Sequence, residues 1–304
     1  MTGEEPFVSL ADITEIELLI LRRMRATTLG QHRSTAHGSG FDFHGLRDWQ
    51  PGDRPSSIDW AQSTLTNLSP LLVREFEQPS TAVVTAVADA SASTRCGAGG
   101  TSIAALIARA IATLGMSAVF FQDPFGIVTF DEGFTHLAGI RPRSGKRHLV
   151  RCLDAYQFQR GVEAEPRVGD IGLALAAHIR STALVPVISD FLFENVEEVL
   201  RELSLLNQTH DVFLVLVDSA FAYELPSASA AWIETIDAET GRARTMRRGE
   251  FLQLAARVRE WQERVKSTAR DLALDVVSMG PDKTQADVAL AEFVAERRLR
   301  KTPP

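Results

Sequence analysis

The sequence predicts an α/β fold: a doubly wound, mostly parallel sheet, preceded by an irregular N-terminal segment with one helix and short strands. Three observations point there. From residue 81 onward, apolar runs of about strand length alternate with helical stretches, the signature of a parallel sheet covered by helices on both faces. The runs are rich in valine and isoleucine, which suit buried strands. Several of them lead straight into a carboxylate, at Asp89, Asp190 and Asp218, and in open α/β sheets the C-terminal edge of the strands is where ligands bind.

Each element has its own justification. Residues 7–26 place Ile13, Ile16, Leu19, Ile20 and Met24 at helical spacing, with Arg22, Arg23 and Arg25 near the end where the helix dipole favours cations. Between residues 29 and 78 glycines, histidines and turn residues dominate, with a strand-like piece at 71–76. The α/β alternation then runs through a strand at 82–88, a helix at 101–121 and a strand at 125–130. Helices are expected at 147–156 and 171–179, a strand at 183–189, a helix at 196–206 and a strand at 212–217. A hairpin is expected from 232–236 and 242–246, joined by Ala238-Glu239-Thr240-Gly241, before a long amphipathic helix at 250–270, a strand at 274–278 and a last helix at 285–297. Two domains follow: residues 1–80 as an N-terminal segment packed on the main domain, and residues 81–304 as the α/β domain.

Composition narrows the function. A net charge of -7 argues against a nucleic-acid binder, which would carry a basic excess or stripe. Cys96 and Cys152 lie far apart with no CxxC pair, so neither a disulfide framework nor a thiolate zinc site is indicated. The first ten residues, MTGEEPFVSL, carry acid where a signal peptide is basic, and no apolar run reaches the roughly 20 residues that cross a bilayer. A cytoplasmic protein without direct membrane insertion is expected.

The chemistry concentrates where the first apolar strand runs into Asp89-Ala90-Ser91-Ala92-Ser93, the pattern D-x-S-x-S. Alternate oxygen side chains on a loop can turn toward one point, and a carboxylate with hydroxyls suits a hard cation such as Mg²⁺. Magnesium keeps open positions for water, and a carboxylate from another protein can fill one. The motif alone is weak, since a polar loop after a strand needs no function. Its place before a helix in an alternating pattern, with a second acidic strand end at Val187-Ile188-Ser189-Asp190, strengthens it.

The strand-DASAS-helix unit and the later VISD resemble the metal-ion-dependent adhesion site of von Willebrand factor type A domains. That resemblance implies metal ligation by Asp89, Ser91 and Ser93, with support from Asp190. The run GQHRSTAHGSGFDFHGLRDWQPGDRPSSIDWAQS, with LLVREFEQ after it, is similar to the hallmark of the bacterial family catalogued as domain of unknown function 58. FGIVTFDE, RPRSGKRHLVRCL and the ELP followed by DAETG agree with it. The resemblance implies a type A-like fold and a companion, a MoxR-type AAA+ ATPase, in a chaperone-like system that remodels or matures client proteins. The partner contact, to the ATPase or its client, would be an acidic residue completing the Mg²⁺ site. Type A domains place a Thr from another loop at the metal; here Gly169 or Asp170 stands there, which leaves Asp170 as a substitute ligand or the site as degenerate.

Other candidates weigh less. Arg47, Asp48, Asp53, Asp59 and Trp60 could form an active site, but Gly52-Asp53 reads as a turn, and Trp60 and Phe43 as docking aromatics. His32, His37 and His44 lack the i, i+4 spacing of helical metal sites. Ser91 and Ser93 have no G-x-S-x-G elbow and no histidine placed as base, so binding is expected rather than catalysis. A metal-assisted hydrolase using the same carboxylates and a metal-free scaffold are the alternatives. Asp218 is expected to cap its following turn.

Overall fold

The computed structural model describes residues 6–30, 37–38, 42–51, 53, 55–65, 67–77, 82–98, 100–131, 134, 136–158, 162–163, 171–179, 181–223, 232–236 and 243–300. The chain divides into two compact units. One comprises residues 1–23 and 82–294, the other residues 24–81 and 295–304.

In chain order the elements are α1 (Leu10–Gly30), β1 (His37–Gly38), β2 (Asp42–Asp48), α2 (Trp60–Leu65) and β3 (Leu72–Glu77). Then come β4 (Val83–Asp89), β5 (Gly97–Ala98), β6 (Thr101–Ser102), α3 (Ile103–Phe120), β7 (Phe125–Asp131) and β8 (His136–Arg143). After these lie α4 (Lys146–Gln157), β9 (Val162–Glu163), α5 (Ile171–Ala176), β10 (Ala183–Ser189), α6 (Val196–Leu206) and β11 (Asp211–Val217). The hairpin β12 (Trp232–Ile236) and β13 (Ala243–Arg247) leads to α7 (Arg248–Asp271), β14 (Asp275–Met279) and α8 (Lys283–Arg300).

The larger unit is built on a seven-stranded sheet in the order β14-β11-β10-β4-β7-β8-β9. The first five of these are mutually parallel, whereas β8 and β9 pair antiparallel. Its six main strands therefore follow the doubly wound order, with the strand order reversing between β4 and β10. That reversal is a topological switch point. Because β10 and β11 are buried at every position, they read as unbroken apolar runs. One face packs Val87, Val128, Val185, Val187 and Leu214 against Leu175, Leu200, Leu203 and Val265 of α5, α6 and α7. On the other face lie α3, buried along most of its length, and α8, whose Phe293 ring sits 5.0 Å from that of Phe213. By length and composition α3 could cross a membrane, with a mean hydropathy of 1.9, but 83% of it is buried inside the protein. It is the core helix of the sheet.

A buried ion cluster ties this second face. Arg109 of α3 contacts Asp287 of α8 at 2.7 Å and Asp12 of α1 at 3.1 Å, and the Thr113 hydroxyl donates to Asp287 Oδ1 at 2.9 Å. Arg109 and Asp287 are both buried, so the Asp287 charge depends on Arg109, which Asp12 and Glu15 also help to balance.

The smaller unit holds a three-stranded antiparallel sheet in the order β1-β3-β2. Arg47 forks onto Asp53 through two 2.7 Å bonds, and Gln50 N also donates to Asp53, which holds that carboxyl down at about 2. Asp53 thus closes a turn, as read from the sequence. Asp59 accepts from Gln62 N and caps α2, on which Trp60 is exposed. The side chains of His37, Phe43 and His44, and the whole of His32, lie outside the described residues.

Candidate metal centre

The switch point brings two strand ends side by side. β4 delivers Asp89, and β10 delivers Ser189 followed by Asp190, with Ile188 registered against Ala88 on the neighbouring strand. After Asp89 the chain turns through a 3-10 segment, Ala92–Arg95. The turn is locked by backbone and side chain alike: Ala90 N donates to Phe130 O at 2.7 Å, and the Thr94 hydroxyl donates to Ser91 O at 2.7 Å.

Within that frame the hydroxyls converge on one carboxylate. Asp89 Oδ1 accepts from Ser91 N at 3.0 Å and Ser91 Oγ at 2.6 Å, while Oδ2 accepts from Ser189 Oγ at 2.6 Å. Ser93 Oγ lies 3.1 Å from Ser91 Oγ. The structure therefore brings Asp89, Ser91 and Ser93 together, with Asp190 on the adjacent strand end. Asp170 lies outside the described residues. Asp218 accepts from Ala220 N at 2.9 Å and so caps its own turn.

Electrostatics set this cluster apart from an ordinary polar loop. Asp89 is 3% exposed and Asp190 is 5% exposed, and no cationic side chain among the described residues pairs with either. Burial raises the Asp89 carboxyl above its usual range, against the pull of Ser189 and Ser91. Burial, and next the charge of Asp89, push Asp190 up to about 7, with the Ser219 hydroxyl among the groups opposing them. Two buried carboxylates without a counter-charge are costly when ionised.

The donors present fit a hard divalent cation: carboxylates on two neighbouring strand ends, plus two serine hydroxyls. The Ser91 hydroxyl spends its proton on Asp89 and keeps its lone pairs for a further contact. Among the described residues no group of three or more His, Cys, Asp or Glu side chains gathers, so a metal here would rest on hydroxyl and water oxygens as much as on carboxylate.

Several residues that build the centre are not evident in the D-x-S-x-S pattern. Ser189 stands beside the acidic residue singled out in the VISD run. The buried Tyr156 at the end of α4 donates its hydroxyl to the backbone carbonyl of Asp89 at 2.9 Å. Phe7 packs on Tyr156, and Arg95 stands over the Phe7 ring. Gln262 of α7 donates to the carbonyls of Asp190 at 3.2 Å and Val217 at 2.9 Å. Its signal was available: Ala255, Val258, Gln262, Val265 and Ala269 form one buried helical stripe, with a single polar residue in its middle.

Fold and site together define a doubly wound α/β protein with paired buried carboxylates at its switch point. The chain belongs to the family described as Protein of unknown function DUF58, whose sequence profile matches residues 45–269. A comparison with curated proteins finds no match. Among solved structures, the chain is similar to the pilus adhesin SpaC from Lactobacillus rhamnosus GG, at 9% identity and a TM-score of 0.39, over 74% of this chain and 32% of that one. It is also similar to the D319A mutant of the PilB minor pilin from Streptococcus sanguinis, at 8% identity and a TM-score of 0.35, over 76% of this chain and 65% of that one. The chain thus spans about a third of the first and just under two thirds of the second.

Proposed function

We propose that this protein is a type A-like, metal-dependent interaction module that captures a carboxylate of a partner protein through Mg²⁺. The observation that carries this reading is the pair of buried carboxylates at Asp89 and Asp190, without a cationic partner among the described residues and set beside the Ser91 and Ser93 hydroxyls. Asp89, Ser91, Ser93 and Asp190 would hold the ion directly or through water, and Asp170 is a further candidate from its loop. Bound there, Mg²⁺ supplies a Lewis-acidic position to which an external carboxylate can bind. The protein's own part is orientation: Ser189 and Ser91 fix Asp89, while Gln262 and Tyr156 fix the backbone on either side.

The partner in this reading is a MoxR-type AAA+ ATPase, its client, or both, and the role is adaptor in chaperone-like remodelling rather than catalysis. Its support is the resemblance of the DASAS and VISD runs to adhesion sites, together with membership of the DUF58 family. The test combines calorimetric titration of Mg²⁺ into the wild type and Asp89→Ala with a pull-down from cell extract, with and without EDTA. Metal binding lost in the variant, and an ATPase retained only with metal, support the reading. Retention of the partner indifferent to metal would sink it.

A further inference from the structure

The basic run RPRSGKRHLVRCL takes no part in the metal centre. Because β8 runs antiparallel to β7, Arg143 is registered against Phe125, so this run lies at the edge where β7 begins, opposite Asp89. The chain then turns at Gly145, with φ of 106°, and enters α4 with no side chain capping its first turn.

Here the protein forms a half-open cleft of about 770 Å³ at the sheet edge, lined by Thr85, Arg141, Arg143, His148, Arg151 and His178, with Val128, Ile140 and Ala155 among the apolar lining residues. Arg141, Arg143 and Arg151 form no ion pair among the described residues, and Asp154 is the one carboxylate among the described lining residues. Three guanidinium groups against one carboxylate are unexpected in a chain of net charge -7. Thr85 supplies the second, independent sign. It is 1% exposed, it lines the cavity, and its hydroxyl has no hydrogen-bond partner among the described residues. Buried hydroxyls are rarely left unpaired. Gly139 leaves room for the neighbouring imidazole: a Cβ there would stand 2.7 Å from His178 Nδ1. Burial holds the His148 imidazole below its usual pKa, and the charges of Arg151 and Arg143 act in the same direction.

Planar guanidinium groups match phosphate oxygens in fork geometry, and a dianion answers several of them at once. The volume falls in the range of about 300–1,000 Å³ typical of small-molecule sites, far more than an inorganic phosphate fills. We propose that this cavity binds an organic phosphate, a monoester whose dianion is held by Arg141, Arg143 and Arg151 at the sheet edge and whose apolar portion lies along Val128 toward Thr85.

The test titrates phenyl phosphate, inorganic phosphate and benzoate into the full chain by calorimetry, at low ionic strength and with EDTA present, so that its outcome is independent of the metal centre. Phenyl phosphate is expected to bind about tenfold more tightly than either other probe, and the double variant Arg143→Gln/Arg151→Gln to lose about tenfold in affinity. Thr85→Val should weaken binding severalfold. Both arginines are exposed, and thermal melting checks that the variants fold; should the double variant fail, Arg143→Gln alone carries the comparison. No binding of phenyl phosphate, or binding unchanged in the arginine variants, overturns the proposal. Equal affinity for inorganic phosphate overturns the ester assignment.

Discussion

Ser189 Oγ donates to Asp89 Oδ2 at 2.6 Å and accepts from Phe191 N at 2.8 Å, so one hydroxyl joins the ends of two adjacent strands whose residues stand 100 positions apart. Replacing it by Ser189→Ala leaves a buried carboxylate oxygen and a buried amide unpaired. The expected cost is about 1–3 kcal/mol of stability, read from the midpoint of urea denaturation. Mg²⁺ affinity should fall as well, because Asp89 loses the contact that orients it.

The elevated Asp190 carboxyl makes a pH prediction with a definite sign. Its pKa is about 7 in the folded protein against an ordinary value of 3.8, so between those values the folded state holds a proton that the unfolded state has released. The resulting stability is fully present below about pH 4 and is lost as pH rises through about 7. Asp89, also raised, acts in the same direction. Denaturation in EDTA at pH 5 and pH 8 should show the wild type weaker at the higher pH, with the difference reduced in Asp190→Asn. On the proposed metal reading Mg²⁺ would compete with that proton, so its affinity should climb over the same window.

The cluster around Arg109 predicts an asymmetry between single and double variants. Asp287→Ala removes the one fully buried counter-charge of a guanidinium that is 3% exposed, leaving it the partly exposed Asp12 and Glu15, and should cost about 3 kcal/mol, whereas Arg109→Met combined with Asp287→Leu should recover much of that loss. Thermal denaturation of the three proteins measures the difference.

The two thiols should be distinguishable by reagent. Cys96 is exposed, whereas Cys152 is buried and its thiol is pushed up to about 12. A disulfide-exchange reagent at pH 8 should label Cys96 in the native protein and Cys152 only in denaturant. Two native equivalents of equal rate would contradict the burial of α4.

What the sequence discloses follows from how each element meets water. β4, β7, β10 and β11 are covered on both faces, so their burial is written as continuous apolar runs, and the turn after β4 inherits its D-x-S-x-S pattern in plain view. β8 is different. Its sequence HLAGIRPR carries a glycine, a proline and two arginines, tolerable because it lies near the sheet edge, and nothing in it alternates. β2 shows no clear strand pattern within its glycine-rich stretch, for it breaks register between Phe43 and Gly45 and so loses the period-two signal. At the centre, Ser189 and Gln262 act through bonds to residues 100 and 72 positions away, a relationship no local pattern encodes.

The course of α4 has a thermodynamic corollary. Its twelve residues span about 18 Å at 1.5 Å per residue, carrying His148, Arg151 and Ala155 along the arginine cavity and, next in the chain, Tyr156 beneath Asp89. A single rigid element thus belongs to both proposed centres, the cavity that starts at one edge of the sheet and the metal site at the other. Any free energy exchanged between them through this helix is reciprocal, so the factor by which a phosphate ester alters Mg²⁺ affinity must equal the factor by which Mg²⁺ alters affinity for the ester.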